Sequence, residues 1–224
     1  MLDIQSIFVT LKLALFTVCL LLLISSPLAW WLATTQQRSK VLIEAIIALP
    51  LVLPPTVLGF YLLILLGSQG AIGGVWQSMT GEPLAFTFAG LVIASCIYSL
   101  PFVVQPLQAA FESLDKSMLE ASWTLGASKI RSLFTVVIPQ IRRGLITAIV
   151  LGFAHTLGEF GVVLMVGGNI PGATKVISIS IYEQVETLEY DSAHKMALLL
   201  LMFSFMVLFF VYAINRRWQV GIKT

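Results

Sequence analysis

Residues 119–141 read LEASWTLGASKIRSLFTVVIPQI. Glu120, Lys129 and Arg131 interrupt apolar runs here, and Gly126 sits between two stretches of helical spacing. The sequence on both sides is hydrophobic enough to sit in lipid, so a charged, amphipathic insert separates two apolar segments. Its local signals predict two short helices. Ser117 and Glu120 have the S-x-x-E spacing of a capping box, and Asp115 is a second N-cap candidate. The first helix is expected to run to about Leu125, with Gly126 turning the chain in a left-handed conformation. Ser128 opens a second helix that places Ile130, Leu133, Phe134 and Val137 on one face, and Pro139 marks a break before the next apolar run.

The chain around the insert has 224 residues, 58% hydrophobic and 11% charged, with a mean hydropathy of +0.96. A soluble domain carries about 25% charged residues. Less than half of that leaves too little polar surface for a water-facing globule, so the composition specifies an integral membrane protein. A net charge of +2, with no basic run interleaved with aromatics, excludes a nucleic-acid binder. Cys19 and Cys96 lie inside apolar runs and read as thiols buried in lipid or in protein, and no Cys/His cluster has zinc-ligand spacing.

A spanning helix needs about 20 mostly apolar residues. Five stretches qualify, at 9–32, 41–66, 84–110, 144–167 and 196–214, and together they make residues 1–224 a single transmembrane domain. The first lacks a basic leader and has Trp31 where a cleavage after Ala33 would need a small residue, so it is expected to stay as a span. Basic residues then orient the spans. Arg38 and Lys40 fall in the first connection, Lys116, Lys129, Arg131, Arg142 and Arg143 in the third, and Arg216, Arg217 and Lys223 in the tail. That is ten of the thirteen Lys and Arg on one side, which places the N-terminus outside, the C-terminus inside and the insert in the cytoplasm.

At this point a resemblance enters. Glu120-Ala121-Ser122, then Gly126, then Val136-Val137-Ile138-Pro139 resembles the E-A-A-x3-G-x9-I-x-L-P loop of bacterial ABC importer permeases. Ser122 stands for the second Ala, Val136 for Ile and Ile138 for Leu. The resemblance implies an all-α, type I-like permease. Residues 113–141 would then be a coupling loop, in which Glu120, Ala121, Ser122, Gly126 and Pro139 shape a helix that docks into a cytoplasmic ATPase. It also implies a second copy of this chain, two ATPase subunits and an extracytoplasmic oxyanion-binding protein, in a bacterial inner membrane. Nothing here matches G-x-x-x-x-G-K-[ST], so ATP and Mg would be used by the partner and no cofactor would be bound by this chain.

LPLVLPPTVLGFYLLILLG (residues 49–67) and LGEFGVVLMVGGNIPGATKVISISIY (residues 157–182) are similar to molybdate permease subunits. Tungstate permeases share these features, and sulfate/thiosulfate permeases are near relatives. The same stretches hold the candidate pathway residues Pro54, Pro55, Thr56, Gly158, Glu159 and Gly161. Pro50, Pro54 and Pro55 are expected to bend or unwind the second span, and Pro101 and Pro106 the third, with irregular backbone lining a cavity or packed in protein. Glu159 would repel an oxyanion if it were ionised and faced it. A structural role is expected instead, bonded to neighbouring backbone or kept protonated, with His155 one turn earlier as its partner. His194 reads as interfacial. No Arg lies within a span and Lys12 can snorkel, so a high-affinity anion clamp inside this chain is not expected. An intramembrane enzyme would need H-E-x-x-H or a nucleophile elbow, and neither occurs. A passive channel or membrane assembly protein would not need the insert at 120–126.

Overall fold

Apolar runs of this length become helices because a segment in lipid must satisfy its own backbone groups. A computed structural model describes residues 3–217, and every regular element within them is helical. Lys223 and the side chains of Arg216 and Arg217, counted above in the basic tail, lie outside the described residues. Helix α1 (Ile4–Thr34) starts ahead of the predicted span because Asp3 caps it, its carboxylate accepting from the Ser6 N–H at 3.1 Å. Thr10, Leu13, Thr17, Leu21, Ser25 and Leu32 recur at helical spacing along its buried face.

The predicted second span is two helices, α2 (Ser39–Val52) and α3 (Pro55–Leu66), bent by 114° at the break between them. The cause lies in the tandem prolines. A proline pushes the residue before it out of the α region, so Leu53 precedes Pro54 at ψ 138° and Pro54 precedes Pro55 at ψ 135°. Two consecutive extended residues make a corner. Pro55 then starts α3 near its N-terminus, where its missing N–H is harmless. Single prolines act differently. Pro50 lies inside α2, and helix α5 runs unbroken through Pro101 and Pro106, so the expected unwinding there does not occur. Each isolated proline restricts one neighbour, and the packing of α5 on both sides holds the rest of its turns.

After α3, α4 (Ala71–Thr80) is a short helix in the connection to the third span, and it ends at Gly81 with φ +79°. Helix α5 (Phe88–Glu112), capped by the Thr87 hydroxyl, is the centre of the bundle and packs against α1, α2, α3, α8 and α9. The insert forms α6 (Lys116–Thr124), α7 (Lys129–Ser132) and a π-helical turn (Leu133–Val137) that leads into α8 (Ile138–Leu157). The expected break at Pro139 is absent, and 129–157 is one continuous helix of 29 residues. The π turn explains this. The Ile138 N–H reaches back five residues to the Leu133 carbonyl, and the widened turn takes up the pyrrolidine ring.

The predicted fourth span at 144–167 is likewise interrupted. Helix α8 stops at Leu157, and a separate α9 (Gly161–Gly167) follows. Helix α10 (Ile177–Glu186) then lies between the fourth and fifth predicted spans, and α11 (Tyr190–Arg217) is the last described element. Among the described residues, four helices are long and apolar enough to cross a membrane, and the bent α2–α3 pair makes a fifth if it counts as one span. Leu21, Ala29, Leu32, Val103, Leu107 and Ala148 form the core nearest the insert. Val9, Leu13, Leu91, Val163, Val176 and Ile179 form a second core where α1, α5, α9 and α10 meet. Leu201, Phe205, Phe209 and Phe210 of α11 are exposed on the outside of the bundle, a surface that lipid solvates and water would not. Cys19 and Cys96 are both free thiols, Cys19 on the outer surface of the bundle, where lipid rather than protein covers it, and Cys96 half-buried.

The start of α1 is tethered to α10 by ionic contacts. Lys175 lies 3.5 Å from Asp3 and also pairs with Glu183, and the Ser180 hydroxyl donates to Asp3 at 3.1 Å. Burial works to raise the Asp3 carboxyl, but the Ser6 N–H, the Ser180 hydroxyl and the Lys175 ammonium outweigh it and hold it below its usual range. Burial works to lower Lys175, and the Glu183 and Asp3 carboxylates outweigh it and raise the ammonium above its usual range. A depressed acid contributes stability that is present above its unfolded value and lost as pH falls through the folded one. A raised base contributes below its unfolded value and loses that as pH rises through the folded one. The tether should therefore hold through neutral pH and release in acid. Hydrogen exchange at residues 3–10 should accelerate as pH is lowered beyond the intrinsic trend, and Asp3→Asn should remove that acid dependence. An unchanged acid profile in the variant would show that the tether contributes nothing.

Candidate functional site

Two constellations bring the predicted residues together, one at each end of the continuous helix from α7 through α8. At the first, Asp115 caps α6, accepting from the Ser117 N–H at 2.9 Å and the Ser117 hydroxyl at 2.6 Å. The Ser117–Glu120 capping box is therefore not formed. With Asp115 as the cap, Ser117 is already the second helical residue, and its hydroxyl points back to the carboxylate. Those two bonds hold the Asp115 carboxyl below the usual carboxylate range. At the other end of α6, Gly126 has φ +81°, its N–H reaches the Trp123 carbonyl at 2.9 Å, and the Ala127 N–H reaches the Ser122 carbonyl at 3.0 Å. This pair of bonds is a Schellman motif, which needs a left-handed residue at the glycine. A Cβ on Gly126 would meet nothing within 4 Å, so the demand is on the backbone alone.

The face of α6 turned to the body carries Leu119 and Trp123, which border an apolar recess of about 500 Å³ beside Trp30 and Phe111. The opposite face is free. Glu120, Ala121 and Leu125 are exposed, Leu125 by 87%. Ser122, which stands where the importer pattern has Ala, donates to the Leu119 carbonyl at 2.7 Å and accepts from the buried Ser132 hydroxyl at 2.8 Å. It fastens α6 to α7. Ser128 caps α7, accepting from the Arg131 N–H at 3.3 Å. Pro139 lies in the first turn of α8. It sits in the helix that leads away from the insert.

The second constellation is the break between α8 and α9. Pro55, Thr56, Gly158, Glu159 and Gly161 line one recess of about 430 Å³, joined there by Tyr98 and His155. Pro54 is not on its wall but makes the corner that brings Pro55 and Thr56 to it. Gly161 is needed for that approach, since a Cβ there would lie 2.9 Å from the Pro55 Cβ. Glu159 is 3% exposed, and its carboxylate is clasped by α5. Ser95 donates to Oε2 at 2.5 Å and Ser99 to Oε1 at 2.7 Å. The Glu159 backbone carbonyl accepts from the Ser178 hydroxyl of α10 at 2.5 Å. His155 does pair with Glu159 as expected, but through Ser99: Nδ1 lies 2.9 Å from the Ser99 Oγ and 3.6 Å from Oε1.

Sequence reading missed Ser95, Ser99, Tyr98 and Ser178. The first two carry a usable signal, because hydroxyls four residues apart share one face of an otherwise apolar helix. If the clasp is structural, Glu159→Gln keeps an acceptor and a donor for the two serines, whereas Glu159→Leu strips the buried Ser95 hydroxyl of its partner. Thermal unfolding in detergent should place Gln near the parent and Leu lower by about 1–3 kcal/mol. A Leu variant as stable as the parent would refute the clasp.

Comparison with known proteins agrees with this architecture. The model of the binding-protein-dependent transport system inner membrane component matches residues 25–220. The molybdenum transport system permease protein ModB of Azotobacter vinelandii is 54% identical over 221 residues, covering 99% of this chain and 97% of that one. The protein of that name from Escherichia coli K12 is 36% identical over 183 residues, covering 82% and 80%. A probable sulfate transport system permease protein cysT of Chlorokybus atmophyticus is 33% identical over 215 residues, covering 96% and 75%. In solved structures, a bacterial ABC transporter involved in alginate import superposes with TM-score 0.75 at 17% identity, covering 96% of this chain and 79% of that one. An amino acid ABC transporter gives TM-score 0.62 at 19% identity, covering 96% and 93%. At that identity the structures speak for the fold alone. The full-length relatives and the family match together establish that this chain belongs to the binding-protein-dependent transport system inner membrane components, as a multi-pass inner-membrane permease.

Proposed function

We propose that this chain is the membrane-spanning subunit of an ATP-driven importer that moves molybdate inward. The observation that carries the transport role is the insert: a capped, preformed helix whose outer face, with Glu120, Ala121 and Leu125, has no partner within the described chain. A surface helix with an exposed apolar and acidic face suits a groove in another protein. The partner in this reading is a cytoplasmic ABC ATPase, which holds the ATP and Mg and performs the hydrolysis. Two copies of this chain meet two ATPase subunits and one extracytoplasmic oxyanion-binding protein, with the N-terminus outside and the C-terminus and insert inside. A pair is also the commonest closed assembly.

Force has a direct route. Gly126 sets the angle between α6 and the continuous helix that follows, and that helix spans about 44 Å from the insert to the Glu159 break. A stroke on α6 thereby acts on the recess at the far end. Molybdate as cargo is supported by the relatives named for molybdenum transport, at 54% and 36% identity. Sulfate and tungstate are the competing cargoes, sulfate because relatives named for it reach 33%. All three are tetrahedral dianions, and the recess of about 430 Å³ is far larger than any of them. Selection therefore falls to the binding protein that delivers the anion, and the recess only has to pass it.

Gly126→Val forces a branched residue into a left-handed backbone, at about 1–2 kcal/mol, and should tilt the docking helix. In the purified complex this variant should insert normally, bind its ATPase weakly or hydrolyse ATP futilely, and import near background. Gly126→Asn, which tolerates that backbone, should retain most uptake. Wild-type uptake by the Val variant would make the insert a mere interfacial brace. Native mass spectrometry of the solubilised complex should give two permeases, two ATPases and one binding protein. Uptake of labelled molybdate in competition with sulfate and tungstate decides the cargo.

A further inference from the structure

We propose that the apolar recess between the insert and the end of α1 binds an anionic phospholipid, with one acyl chain filling it and the head-group phosphate resting on Lys129. The inference goes beyond the importer reading. It needs only that this end of the bundle lies at a membrane surface, the inner one in the orientation proposed above. The argument starts on the outward face of α1. Phe16, Leu20, Leu23, Pro27 and Trp30 recur at steps of four and three residues, so they form one stripe along the helix, and all five are exposed. Helices that pack against each other in lipid meet through small residues. The stripe has none, so it faces acyl chains rather than another span. Pro27 and Trp30 are also the α1 wall of the recess, which therefore continues the lipid-facing surface.

Depth agrees with that assignment. Trp30 stands in the last turns of α1 and Phe111 next to the end of α5, so both lie within about 6 Å of their helix ends. The two rings pack edge to face at 5.2 Å between centres, and Trp123 joins them from α6. Indoles gather at the level where an apolar interior meets head groups. The walls offer a polar ligand almost nothing: the Ser26 hydroxyl donates to the Leu22 carbonyl at 2.6 Å, and the rest of the lining except Lys129 is apolar. The space is about 500 Å³. A methylene fills close to a liquid water's share of about 30 Å³, so one acyl chain of roughly sixteen carbons fits. Ile130 and Phe134 are exposed on the same short helix and would meet water without such a chain beside them. Lys129 supplies the charge. It lines the recess, is exposed, and has no ion-pair partner among the described residues, and no Asp or Glu lines the recess with it. A cation beside an apolar slot at the inner face selects an anionic head group. The lipid then wedges α6 away from α1, while the opposite face of α6 stays open to a protein partner.

The test uses the complete permease–ATPase complex in phosphatidylcholine proteoliposomes. Traces of phosphatidylglycerol or phosphatidylcholine carrying a photoreactive diazirine in one acyl chain are added, and labelled residues are mapped by mass spectrometry. In the parent, labelling should concentrate at 26–30 and 119–133 over the stripe at 16–23. Phosphatidylglycerol should label there about fivefold more than phosphatidylcholine, the worth of one Lys near an anionic lipid. Lys129→Gln should bring that ratio close to one and keep the labelling by phosphatidylcholine. Ser26→Phe, which fills the recess from α1, should reduce labelling by both. A second measurement needs no variant: about 1 M salt, where the screening length falls to about 3 Å, should erase the preference in the parent and leave the chain in place. Labelling at the recess no greater than along 16–23, or a head-group ratio unmoved by Lys129→Gln and by salt, overturns the proposal. Labelling that appears only after the ATPase is stripped away, or a disulfide between two copies of Trp123→Cys, gives the recess to a protein and overturns it as well. A complex that labels as expected but imports no molybdate overturns the importer reading alone.

Discussion

The carboxylate of Glu159 accepts from Ser95 and Ser99 while its backbone carbonyl accepts from Ser178, and the rest of the molecule is arranged around that clasp. A helix that stops within an apolar bundle exposes carbonyls and amides that lipid cannot satisfy. Here the stop at 158–160 is tolerated because side chains of two other helices meet it. The corner at Pro54 and the close approach at Gly161 then leave a recess against the broken backbone, and the acid whose burial would otherwise be prohibitive is the group that fastens α9 to α5.

The same economy governs the long helix between the insert and the break. Its continuity depends on a five-residue π turn ahead of Pro139, which converts a proline expected to end the helix into a residue within it. The outcome is mechanical as well as local. In the importer reading proposed above, a helix interrupted at Pro139 would let the insert move without moving the recess, whereas an uninterrupted one would carry displacement from α6 to Gly158. The insert is built to match: Asp115 and Gly126 define the ends of α6, and the Ser122–Ser132 bond ties it to the first turn of that helix.

Several features were legible in the residues themselves because they depend on neighbours in the chain. Gly126 is a helix-ending glycine wherever it sits, since the Schellman bonds close within six residues. Ser128 caps the next helix for the same reason. The Pro54-Pro55 corner follows from steric rules that act one residue back. By contrast, Ser117 and Asp115 competed for one cap, and spacing alone could not rank them. The carboxylate two residues upstream won by accepting both the Ser117 hydroxyl and its N–H.

What the sequence by itself determined is the class: an all-helical membrane chain, its apolar segments, and an insert with the spacing of a coupling loop. Those properties are local or additive, set by hydropathy summed over a span and by dihedral preferences at Gly and Pro. Only the tertiary structure decided that Ser95 and Ser99 lie against Glu159, 64 and 60 residues away along the chain, and that Thr56 and His155 share a recess. The physical reason is that apolar spans attract no particular neighbour in lipid, which solvates them as well as another helix does. Which faces meet is settled by shape at glycines such as Gly161 and by a few buried hydrogen bonds, and neither leaves a period in the sequence.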